Sequence, residues 1–130
     1  MIDIEVQRKL SELFAKAEQG DVQAQLKIAA RYEYGNVLEQ SYEEAVKWYR
    51  KAAEQKNRDA QFKLGYCYEQ GKGIQASNVE AIRWYRRAGA QGDAIAKERA
   101  QLLLNAGNFK ELENNFEEED EEEQKRRWTF

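Results

Sequence analysis

The chain has 130 residues, a formal charge of −3, a single cysteine, and neither histidine nor proline. Without histidine it lacks the commonest general base and metal ligand near neutral pH, and one thiol excludes an intramolecular disulfide. The length suits one domain with a modest core, and the lack of proline suits a helix-rich chain.

The first residues, Met1-Ile2-Asp3-Ile4-Glu5-Val6, bring acids early and no long apolar run, unlike the positive start and apolar stretch of a secretory signal. The longest aliphatic cluster, Leu102 to Leu104, is far too short to span a bilayer. Cys67 sits between Tyr66 and Tyr68. It reads as a packed thiol with no flanking base or cation to activate it, at home in a reducing compartment. The expectation is a cytoplasmic protein without membrane contact.

An internal repeat organises the chain. At an offset of 36 residues, Ala24-Gln25-Leu26-Lys27-Ile28-Ala29 pairs with Ala60-Gln61-Phe62-Lys63-Leu64-Gly65, Tyr32-Glu33 with Tyr68-Glu69, and Gly35 with Gly71. Further on, Glu44-Ala45-Val46-Lys47-Trp48-Tyr49-Arg50-Lys51-Ala52 pairs with Glu80-Ala81-Ile82-Arg83-Trp84-Tyr85-Arg86-Arg87-Ala88. Each unit reads as two amphipathic helices. Ala60, Leu64, Tyr68 and Gly71 form one stripe, and Ala81, Trp84, Tyr85 and Ala88 another. Ser41 and Ser77 suit helix caps; Gly35, Gly71 and Gly73 suit left-handed turns.

These patterns predict an all-α protein, a short α/α solenoid occupying residues 1–110. A partial unit spans 5–20, carried by the stripe Val6, Leu10, Leu13, Phe14 and Ala17. Full units span 21–56 and 57–92. A partial capping unit spans 93–110, where Ala96, Ala100, Leu104 and Gly107 keep register. End units of such arrays differ because one face has no neighbour.

The units resemble the Sel1-like repeat, a relative of the tetratricopeptide repeat. The resemblance rests on Leu64-Gly65, Tyr68, Gly71, Gly73-Ile74, Ala81, Trp84-Tyr85 and Ala88, and on Trp48-Tyr49-Arg50-Lys51-Ala52-Ala53 in the first unit. It implies a right-handed superhelix and an adaptor or scaffold role. Trp48, Tyr49, Trp84, Tyr85, Gly71 and Gly73 then define the fold and are not catalytic. The first unit departs from the pattern at Ala29, Asn36 and Val37, which predicts a first loop of different shape. The paired cysteines common among bacterial members are missing from the sequence, and the secretion common among them is not expected here.

No catalytic constellation, cofactor motif or metal-ligand cluster stands out. The basic residues Lys47, Arg50, Lys51, Arg83, Arg86 and Arg87 recur with the repeat and read as the solvent side of second helices; no nucleic-acid module is evident. Tyr34, Tyr42 and Tyr66 stand where the repeat dictates least. They read either as partner anchors or as packing against their own loops. The expected function is binding of a protein or peptide in a groove lined by first helices. Two alternatives are inhibition of a basic protein, as an immunity protein would, and assembly into a homodimer.

Residues 111–130 form a separate region. They hold 3 basic and 9 acidic side chains, against 18 and 15 in residues 1–110. The run Glu117-Glu118-Glu119-Asp120-Glu121-Glu122-Glu123 falls where the register expects an Ala-Trp-Tyr helix. Three readings stand side by side: a disordered solubilising tail, a solvated helix, or a recognition element. In the last, Trp128 and Phe130 anchor either a basic partner or the protein's own surface.

Overall fold

The computed structural model describes residues 3–107, which form helices α1 (Ile4–Glu18), α2 (Val22–Tyr34), α3 (Tyr42–Glu54), α4 (Arg58–Gln70), α5 (Asn78–Ala90) and α6 (Ala94–Ala106), with no strand among them. Each helix packs chiefly on the one before and the one after, so the helices stack as an array. The all-helical repeat expected from the 36-residue offset is present.

Local sequence chemistry sets the helix ends. Ser41 and Ser77 are N-caps: each hydroxyl accepts a bond of 3.2 Å, from the Glu44 and Glu80 backbone N–H respectively. Asp21, Asn57 and Asp93 do the same for α2, α4 and α6, accepting from Ala24, Ala60 and Ala96. These bonds satisfy donors that a helix start leaves open. At the far ends of α2 and α4, Gly35 and Gly71 turn left-handed at φ 68° and 70°.

The loop after α2 does not differ in shape from the loop after α4, contrary to the expectation from Asn36 and Val37. Val37 adopts φ 70°, matching 72° at Gly73. Matching backbone bonds close both loops, Ser41 N–H to Tyr32 carbonyl and Ser77 N–H to Tyr68 carbonyl, at 2.9 and 3.0 Å. The hydrogen-bond frame determines the path, and valine is carried into a region that suits glycine. Lys56 is in the same situation at φ 69°, where the sister turns use Gly20 and Gly92.

The core combines alanines with aromatic rings. Ala45, Ala52, Ala81 and Ala88 are buried, which lets helix axes approach closely, while Trp48, Tyr49, Trp84 and Tyr85 fill the remaining space. Trp48 and Trp84 are 8% and 6% exposed at equivalent positions. Phe14 of α1 meets the Trp48 ring edge-on at 5.9 Å, drawing the first helix into the array. Around the tyrosines the two units divide volume differently. Phe62 and Gly65 surround Tyr85, and a Cβ at Gly65 would lie 2.9 Å from that ring. The corresponding residues of the first unit are Leu26 and Ala29, a smaller neighbour with a larger one.

Candidate partner-binding surface

Two repeated polar devices join one unit to the next. In the first, the Glu33 carboxylate accepts from the Tyr49 hydroxyl at 2.8 Å and pairs with the Lys63 ammonium of the next unit at 3.3 Å. One repeat later, Glu69 accepts from Tyr85 at 2.6 Å and pairs with Arg99 at 2.7 Å. Burial, then the bond donated to the carboxylate, raises the pKa of Tyr49 and of Tyr85 well above the usual phenol value. In the second device, the buried Gln25 donates to the Ala17 carbonyl and accepts from Gln55, while Gln61 and Gln91 repeat the link. These groups hold the array together and leave little capacity for a ligand.

The basic residues of the second helices are only partly a solvent face. Lys47 and Lys51 are exposed, but Arg50, Arg83, Arg86 and Arg87 are half-buried. Lys51 and Arg87 lie over Trp48 and Trp84, at 4.4 and 4.5 Å from the ring centroids, and Arg50 donates to the Tyr68 hydroxyl at 2.6 Å. Their stems cover the tryptophans as well as carrying charge. An open cleft of about 700 Å³ beside α3 is bordered by Glu43, Glu54, Lys47, Lys51, Trp48 and Ile74. Its charges are mixed, so it favours no one sign of ligand.

The three tyrosines singled out in the sequence come together in one row. Tyr34, at the last position of α2, is 70% exposed. The Lys63 ammonium lies 3.3 Å from its hydroxyl and 5.6 Å from its ring centroid. Tyr66 follows Lys63 by three positions on α4, the spacing of helical neighbours. Lys72 then stands between Tyr66 and Tyr42, its ammonium 5.2 and 5.4 Å from the two rings. The sequence Tyr34–Lys63–Tyr66–Lys72–Tyr42 thus alternates rings and cations across two units.

Burial alone would lower the Lys63 pKa, but the Tyr34 hydroxyl and Glu33 outweigh it and the net shift is upward, so Lys63 is cationic at neutral pH. Lys72 differs, having no carboxylate within 4.0 Å among the described residues. Among the described residues its ammonium faces the rings of Tyr66 and Tyr42.

Sequence reasoning missed both lysines. Lys63 could have been found from Arg99, its cationic counterpart one repeat later beside the recurring Glu33 and Glu69. Lys72 has no such copy, since Asn36 occupies the equivalent place. Trp128, Phe130 and the acidic run lie outside the described residues. The fold-defining Trp48, Tyr49, Trp84 and Tyr85 are buried, and Gly71 and Gly73 occupy left-handed turns.

Cys67 is buried, and burial together with the Glu33 charge pushes its thiol up to about 11, which leaves little thiolate at neutral pH. Among the described residues no cluster of three or more His, Cys, Asp or Glu could hold a metal ion, and no helix is long and apolar enough to cross a membrane.

A model of the Sel1 repeat matches residues 22–57 and 58–93. A crystal structure of a Sel1 repeat protein from Oxalobacter formigenes is 40% identical, with a TM-score of 0.75, over 79% of this chain and 42% of that one. A protective antigen of uropathogenic Escherichia coli displaying an SLR fold is 35% identical, with a TM-score of 0.62, over 68% of this chain and 18% of that one. Cysteine rich protein B of Helicobacter pylori, 23% identical with a TM-score of 0.66 over 71% of this chain and 69% of that one, shares the fold. The chain therefore spans less than half of the first two proteins. No curated protein matches it.

Proposed function

Because the chain belongs to the Sel1 repeat family, we propose that it is a non-enzymatic adaptor that binds a segment of a protein partner along the row from Tyr34 to Tyr42. Sel1 repeats generally mediate protein–protein interaction. The observation that carries the reading is the composition of the row: Tyr34 is 70% exposed, and Lys72 has two ring neighbours and, among the described residues, no paired carboxylate.

Tyrosine contributes apolar area and a hydroxyl at small entropic cost, which makes it a frequent interface anchor. A partner placing an apolar side chain on Tyr34 and a carbonyl or carboxylate oxygen near Lys72 would use both kinds of group. The high pKa of Cys67 and the lack of histidine support a binding role over catalysis. The lone buried thiol supports a cytoplasmic setting.

Crosslinking and mass spectrometry on the full chain would identify a stoichiometric partner, and calorimetry would then compare variants. Tyr34→Ala and Lys72→Glu should each weaken binding by about tenfold or more without moving the thermal midpoint. Unchanged affinity in both variants would remove the row from the interface.

A further inference from the structure

We propose that residues 108–123 of this chain cover the α5–α6 end of the array, with Phe109, Leu112 and Phe116 on its apolar half and the acidic run Glu117–Glu123 on its arginine half. The proposal is independent of the row described above.

The first ground is how this end departs from the repeat. Val79 replaces Glu43, Leu104 replaces Tyr68, and Ile82 replaces Val46. Ile82 is fully buried, with Val79, Leu103 and Leu104 packed on it. An end face meant for water becomes more polar than an internal junction. Glu98 and Gln101, which replace Phe62 and Gly65 on α6, follow that rule, whereas the patch of Val79, Ile82, Leu103 and Leu104 runs the other way, as it would beneath a covering segment.

The second ground is a cover that the repeat does not rebuild. Over the first turn of α3 the chain passes so closely at Gly73 that a Cβ there would collide with the Tyr42 carbonyl. One repeat later the sequence has Phe109 in place of Gly73, a residue that carries the Cβ the Gly73 position has no room for. Gly107 has already left it, with extended backbone at φ −129° and ψ 171° in place of the left-handed turn at Gly71. Among the described residues, nothing over the start of α5 corresponds to the loop that crosses the start of α3.

The third ground is order. Phe109, Leu112 and Phe116 have the spacing of a helical stripe, and the seven acids follow directly. On the face they would meet, Val79 and Ile82 near the start of α5 adjoin Leu103 and Leu104 near the end of α6, where Gly107 leaves the array. Arg83, Arg86 and Arg87 lie farther along α5. Apolar then acidic in the segment thus meets apolar then basic on the face. Arg83 Nε and Trp84 Nε1 are buried there without a hydrogen-bond partner among the described residues. The 13 residues of α5 span about 20 Å, and 16 residues cover that length even at the helical rise.

Hydrogen exchange on the full chain tests the apolar half. In the combined variant Phe109→Asp, Leu112→Asp, Phe116→Asp, amides of α5 and α6 should exchange roughly tenfold faster or more, with α2 and α3 little changed. Unchanged exchange in α5 and α6 overturns the proposal. A readout independent of variant folding is benzoylphenylalanine at Leu112. Illumination should give crosslinks to α5 or α6 within one chain; crosslinks between chains, or to α2–α4, assign the face or the segment elsewhere and overturn it. For the acidic half, protection of α5 should fall several-fold between about 0.02 and 0.5 M salt. It should lose that dependence when the seven acids become amides. Protection indifferent to salt overturns the acidic half.

Discussion

Trp84 fills the space between α5 and its neighbours, with the Arg87 guanidinium 4.5 Å over its ring. Trp84→Ala should cost about 3–5 kcal/mol, because the cavity adds to the lost burial. That is a large share of the stability of a domain this size, and a urea midpoint left unchanged would contradict the core assignment. Val37 and Lys56 offer the opposite experiment. Both hold left-handed backbone where the repeat elsewhere has glycine, and both are exposed. Relief of about 1–2 kcal/mol of strain against about 0.5–1 kcal/mol of added chain entropy should make Val37→Gly and Lys56→Gly stabilising by roughly 0.5–1 kcal/mol each. A lower thermal midpoint in both would refute that account. The tryptophans and the serine caps could be read from the sequence because each follows from spacing alone. The path at Val37 could not, since residue type argued for one shape and the flanking hydrogen bonds imposed another.

Each second helix is tied through a phenol to a carboxylate on the helix before it, and that carboxylate also holds a cation of the helix after it. Tyr49 and Tyr85 stay protonated in the folded protein well above the usual phenol range, whereas in the unfolded chain they ionise near pH 10. The folded state then holds more protons than the unfolded state. Their stabilisation is complete below about pH 10 and is lost as pH rises above it. Lys63, also raised, acts in the same direction. The urea midpoint should therefore fall steadily on going above about pH 10. Tyr49→Phe and Tyr85→Phe should each flatten that fall, since neither ring can then ionise. An identical alkaline slope in wild type and both variants would show that these hydroxyls do not govern it. The recurrence of Tyr32-Glu33 as Tyr68-Glu69 was visible in the sequence; which cation completed each group was not, because Lys63 and Arg99 differ in type.

At the scale of the molecule, the offset of 36 residues revealed the architecture because every unit repeats the same solution. It also brought out the three tyrosines of the candidate row as places where the repeat dictates least. What it could not reveal was their convergence, which depends on Lys72 reaching between rings from two different units. Since each helix packs chiefly on its sequence neighbours, stability should grow with the number of interfaces. Inserting a second copy of residues 58–93 directly after the first should raise the denaturation midpoint. A midpoint that falls would show that the junctions are not interchangeable.

The acid–phenol–cation groups also give the array a sense of direction. Each of the two full units offers a carboxylate forward, Glu33 or Glu69, to a cation on the unit that follows, Lys63 or Arg99. The connection works like a plug and socket with two unlike ends. A unit inserted the right way round finds both counterparts waiting. One facing its neighbour in reverse would set carboxylate against carboxylate and cation against cation. Growth of such a chain by duplication is thereby compatible with its wiring.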